Sequence, residues 1–206
     1  GGLIVAVISN ATTIADAGAF SASLGSMVHI KTLNFSNTST VSFVGGAASV
    51  VLDNTYPVYV FKILNIHPET GDRQFMFQGS VNGGSNYNVT MTSTNFYTYY
   101  GGGTAYFETS NADDQTQGTD FQRISTTVRT DNDACCSGEL TIFNPSNTTF
   151  VKHFISKVHA YNQDNASATT YAGGYFNTTS ALNAFQFKHR AGNITGTIKL
   201  YGIKDS

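Results

Sequence analysis

Charge is what this chain has least of. Asp, Glu, Lys and Arg make up 12% of its 206 residues, about half the share usual in globular domains. With 11 basic against 13 acidic residues and a formal net charge of −2, it has no basic footprint for neutralising a phosphate backbone, so nucleic acid is not an expected partner. Low charge density also weakens the repulsion between like surfaces, which suits a protein packed against copies of itself. Cysteine is scarcer still, since Cys135 and Cys136 are the only two and are adjacent. Neighbouring thiols can bridge only through a small, strained ring, so no disulfide framework is expected; ordinary reduced thiols are the first expectation, with a strained redox bridge or an intersubunit bond as the alternatives.

Long apolar runs are missing too. Leu3–Ile8 is apolar but too short to span a bilayer, and it lacks the basic flank of a secretory signal. No membrane partner is expected. The segment reads instead as a buried first strand or as an arm that pairs with a neighbouring subunit's sheet, and residues 1–25 are assigned to one of these. Within them, Thr13–Ala17 is left open between a short helix and a loop.

Catalytic signatures are absent as well. The chain has no Gly-x-Ser-x-Gly elbow, and His29, His67, His153, His159 and His189 fall in no catalytic spacing. Glu69, Glu108, Asp120 and Glu139 are the acids available to a glycosidase, but nothing in the sequence pairs them. The acidic turns at Asp113-Asp114 and Asp131-Asn132-Asp133 fail the calcium-loop pattern, because Cys135 stands where a coordinating oxygen is needed. No structural zinc spacing surrounds the cysteines. The expectation is a protein that is not an enzyme and has no metal and no cofactor.

What is abundant is Asn, Thr, Ser and Gly, with 15 Phe and 11 Tyr. Short apolar runs of strand length recur from Met27 onward: 27–33, 41–44, 58–66, 74–78, 87–92, 106–109, 121–129, 140–143, 150–161 and 170–176. Turn-forming stretches punctuate them, at Asn82-Gly83-Gly84, Gly101–Gly103, Asn144-Pro145-Ser146 and Ala172-Gly173-Gly174. No window carries an amphipathic helical stripe with caps, so a parallel sheet would lack its crossover helices. The expected fold is all-β, an antiparallel β-sandwich of jelly-roll type with about eight to ten strands, forming a single domain over residues 26–206.

The end of the chain reads as a β-hairpin. Phe185 and Phe187 alternate with Gln186 and Lys188, while Ile198, Leu200 and Gly202 alternate with Lys199 and Tyr201, and Ala191-Gly192-Asn193 supplies the turn. In the long strand before it, His153, Lys157 and His159 share one parity and so one face.

The candidate binding residues are aromatic. Tyr97, Tyr99 and Tyr100 stand next to the glycine run, and Tyr171, Tyr175 and Asn177 form a second loop. Tyrosines offer flat apolar faces with a hydroxyl donor, which suits sugar binding or a rigid protein contact. Packing at strand ends or subunit interfaces is the plainer alternative. The Asn-x-Ser/Thr sequons, Asn193 among them, are expected to be unmodified.

Four motifs occur in order along residues 41–203. They are Val51–Phe61, Asp72–Thr90, Ser137–Ser146 continuing to Lys152-His153-Phe154, and the ending Gly192-Asn193-Ile194 followed by Gly196-Thr-Ile-Lys-Leu-Tyr-Gly-Ile203. Together they resemble a family of marine tailed-phage virion structural proteins found among tail-fibre and capsid-surface components. The resemblance implies a β-rich structural domain on the outer surface of the virion and supplies no catalytic residues. What it leads one to expect is a capsid decoration or cement protein, a homotrimer that contacts major capsid or tail proteins. The alternative is a tail-fibre adhesin whose tyrosines touch host-surface glycan.

Overall fold

The computed structural model of the chain describes residues 26–109 and 112–204, together with the backbone of three short segments before them. Those segments are strands β1 (Val7–Ser9), β2 (Thr12–Asp16) and β3 (Ala19–Phe20), which form a small antiparallel sheet of their own. Thr12–Asp16 is therefore extended, not helical. The rest of the expected arm or strand over residues 1–25 lies outside the described residues.

The body has thirteen strands, every pair of neighbours antiparallel, and no helix among the described residues. One layer runs β4 (Met27–Thr38), β16 (Ile194–Ile203), β6 (Val58–Pro68), β12 (Cys136–Phe143), β13 (Lys152–Asn162), β14 (Ala166–Phe176), β8 (Met91–Gly101) and β9 (Thr104–Thr109), side by side in that order. The short β10 (Thr116–Gly118) also pairs with β8. Facing this layer lie β5 (Val41–Val44), β15 (Ala184–His189), β7 (Arg73–Ser80) and β11 (Gln122–Val128). The two layers join where Val128 of β11 pairs with Asn162 of β13, so the sheet nearly closes on itself.

An all-β antiparallel fold is thus as expected, with more strands than the eight to ten foreseen. The one body strand without an expected counterpart is the short β10, and the tyrosine-rich segment is a hairpin and not a loop, because β8 runs on to Gly101. Gly101 and Thr104 pair across a two-residue turn at Gly102 and Gly103, both with positive φ. A turn of that kind matches the twist of the flanking strands and extends both of them.

Alternation builds the core. Along β13 the burial pattern alternates strictly from Lys152 to Ala160, with Phe154, Ser156 and Val158 inward and His153, Ile155, Lys157 and His159 outward. Phe residues from both layers meet between the sheets: Phe77 of β7 stands edge-on to Phe154 of β13 at 5.0 Å, and Phe61 of β6 meets Phe187 of β15 at 5.1 Å. Each is almost wholly buried, a burial that contributes roughly 1.5–3 kcal/mol per side chain.

The closing segment corrects one expectation. β15 and β16 do not pair with each other: β15 lies between β5 and β7 in one layer, and β16 lies between β4 and β6 in the other. Turn 190–193, with Gly192 at φ 78°, therefore carries the chain across the core as an arch. Side-chain parity was legible because both strands point their apolar residues inward. Whether consecutive strands pair or face each other leaves no mark on that parity.

A second correction concerns Ala172-Gly173-Gly174, which is not a turn but the middle of β14. A Cβ at Gly174 would collide with the Thr92 carbonyl of β8 and the Phe154 ring, so glycine here permits close strand approach. At Gly202 in β16 the space a side chain would need is occupied by the Tyr56 ring, which packs over the strand.

Candidate ligand cleft

Period-two alternation divides the tyrosines of β8 between two faces. Tyr97 and Tyr99 point towards the space between the layers, paired across the hairpin with Glu108 and Tyr106, whereas Tyr100 points outward and is 61% exposed. Tyr99 stacks on Tyr106 with ring centroids 4.5 Å apart and planes 17° from parallel. The Tyr97 hydroxyl donates to the Glu108 carboxylate at 2.7 Å. Burial, reinforced by that carboxylate, raises the Tyr97 phenol well above its ordinary pKa, so it remains a neutral donor.

These side chains form one wall of a cleft of about 130 Å³ at the open end of the sandwich. The opposite wall comes from β11 through Ser125, Thr126 and Thr127, and the rim from Asn162 at the end of β13 with Gln163 and Asp164 after it. Thr170 of β14 pairs with Tyr97 and completes the lining.

The base of the cleft holds its least expected feature. Thr126 and Thr170 are 9% and 1% exposed, and neither hydroxyl has a hydrogen-bond partner. Their neighbours are satisfied: the Asn95 side-chain amide donates to the Arg123 carbonyl at 3.0 Å, and the Ser125 hydroxyl donates to the Thr126 carbonyl at 2.8 Å. Asp113 is ion-paired with Arg123. Among the described residues no Lys, Arg or His lines the cleft.

The remaining candidates lie elsewhere. Tyr171 is on the outward face of β14, stacked on Phe96 at 5.1 Å with Lys157 above its ring. Tyr175, on the same face, neighbours His153 at 6.2 Å and accepts a hydrogen bond from Gln117 at 3.4 Å. Asn177, just beyond β14, donates to Gln117 at 2.6 Å. The expected second loop is therefore a strand with Asn177 at its end, and the six residues divide among the cleft, the outer face and the far end of β14. Sequence reading missed Thr126, Thr170 and the pairing of Tyr106 with Tyr99. A threonine at an inward strand position is ordinary in composition, and only the register shows that its hydroxyl has no partner.

Three of the four acids open to a glycosidase reading are engaged separately, and Asp120 takes part only through its backbone carbonyl, which accepts from Gln78. Glu139 pairs with Lys62, Glu69 accepts from Thr195, and Glu108 accepts from Tyr97. Among the described residues no group of three or more His, Cys, Asp or Glu is placed to hold a metal ion.

Compared with family models, curated proteins and solved structures, the chain matches none.

Proposed function

We propose that the chain is a non-enzymatic structural protein of a bacteriophage virion, a decoration or cement protein on the outer capsid surface that stabilises the particle by packing against major capsid subunits and further copies of itself, as a homotrimer. The sequence resemblance supports the virion setting. The observation that carries the assembly role is the uncovered outer face of the eight-stranded layer. Lys199, Lys62, Glu139, Lys157, Tyr171 and Phe96 form a continuous cross-strand row over six of its strands. In the adjacent row Ile155 lies between Thr141 and Gly173, the latter with no side chain to cover it, and it is 58% exposed. Phe107 adds a second bare apolar group, at 61%. A broad face on which exposed apolar and aromatic groups stand beside a line of charged side chains offers both the apolar patch and the polar surround of a protein contact.

The experiment is to image particles and count copies. The reading expects hundreds per head, weaker heads when the protein is released, and fewer copies when Ile155 and Phe107 are both changed to Ser. Particles that lack the protein, or that retain the double variant in full, would overturn it.

The second reading, a tail-fibre adhesin for host glycan, is favoured by the cleft. It expects a few copies at the tail and saturable binding to host cells.

A further inference from the structure

We propose that the cleft between Tyr99, Tyr106, Thr126 and Thr170 binds a single uncharged sugar residue through its hydroxyl-bearing edge. This deepens the adhesin form of the proposed function and rests on it.

Three properties of the cleft select that ligand class. The Thr126 and Thr170 hydroxyls each keep donor and acceptor capacity unused, and a buried polar group left without a partner costs roughly 1–3 kcal/mol. Both oxygens are closed to solvent as the cleft stands, so a ligand that brings its own hydroxyls relieves them only as the lining side chains shift to admit it. The space of about 130 Å³ is the room of about four waters at roughly 30 Å³ each, enough for one edge of a pyranose but not for an extended chain.

The wall supplies the second property. Tyr106 is 41% exposed and backed by its stack on Tyr99, so a rigid aromatic surface stands beside the polar base. Sugars are amphipathic in the same way, with C–H faces that lie on aromatic rings and hydroxyl edges that seek hydrogen bonds.

Charge excludes the competitors. With no Lys, Arg or His among the described residues of the lining, and with Asp164 at the rim, a phosphate or an acidic sugar would meet a carboxylate and no cation. Asp113 is already committed to Arg123. A neutral polyol is what the donor and acceptor set fits.

The test is an NMR titration of protein carrying ¹³C-labelled threonine methyls, using glucose, galactose, mannose and N-acetylglucosamine at millimolar concentration, with N-acetylneuraminate as the acidic probe. At least one neutral sugar should give saturable shifts at the Thr126 and Thr170 methyls, while the acidic one gives none there. Thr170→Val, which keeps shape and removes the unpartnered hydroxyl, should weaken binding about tenfold without lowering the melting temperature. Tyr106→Ala, at an exposed position, should weaken it by a similar factor. A cleft that responds to none of the four neutral sugars, or that binds N-acetylneuraminate more tightly, would overturn the proposal, as would equal binding by both variants. Copy number per particle is read separately: sugar binding by a protein that never enters virions would leave the site standing and remove the virion role.

Discussion

Phe61 and Phe187 meet edge-on at 5.1 Å although one belongs to the eight-stranded layer and the other to the facing one. Phe187 also stacks on Phe75 at 5.9 Å, which puts it at the centre of the contact between layers. Phe187→Ala should therefore destabilise the fold by about 3–5 kcal/mol, the range for emptying a large aromatic from a packed core. Denaturant unfolding checks this, and a loss below about 1 kcal/mol would mean that the layers do not depend on that contact.

Leu200 tests the other layer. It is fully buried in β16, paired on one side with Lys31 and on the other with Phe61. Leu200→Asp places an unpaired carboxylate there and should abolish folding, or assembly, before any ligand binding is affected. Circular dichroism of the purified variant, together with its recovery in particles, gives the answer. A native spectrum with normal particles would contradict the assignment of β16 as an interior strand.

Acid should unfold the protein through His189. Its ring is buried against Phe75, and neither nitrogen has a partner. Burial, with smaller contributions from His67 and Arg73, pushes its pKa down from 6.5 to about 3. Between those values the unfolded chain binds a proton that the folded one does not. The stability associated with the neutral ring is thus complete above about pH 6.5 and falls as the pH drops towards 3, by up to about 5 kcal/mol. His189→Leu should move the acid midpoint downward, as measured by fluorescence-monitored titration.

The two cysteines should react unequally. Cys136 is 1% exposed and Cys135 is half-buried. Burial raises the Cys136 thiol far above its ordinary pKa, with Cys135 adding to the effect, and burial followed by the Asp133 charge raises Cys135. Since the thiolate is the reactive form, iodoacetamide at neutral pH should label Cys135 slowly and Cys136 not at all until the protein is denatured. Mass spectrometry distinguishes the outcomes, and rapid double labelling of native protein would show that this loop is open.

Strand identity was largely legible in the sequence because alternation and turn chemistry are local. Val41–Val44 has the bounds expected for it, and the inward parity of Ile198 and Leu200 was readable from their spacing. Partner choice is not local. The arch at 190–193 and the hairpin at Gly102-Gly103 both follow turn-forming glycines, yet one crosses the core and the other joins neighbours. Of the six candidate site residues, Tyr97 and Tyr99 face the cleft and Tyr100 does not. That division follows directly from adjacency along a strand, once the segment is seen to be a strand. Nothing in the sequence marked Thr126 or Thr170, because their importance lies in what their hydroxyls fail to touch.

Met27 pairs with Ile203, and Thr38 with Ile194. Strand β4 thus leaves the ribosome long before β16, its neighbour in the body of the sheet. Until those last residues emerge, a twelve-residue strand waits with both of its edges open, a state that slows folding and invites pairing between nascent chains. The interval between synthesis of the two strands is when misassembly competes most strongly. Expression at lower temperature or with holdase chaperones should raise the soluble yield more than any change to the finished surface.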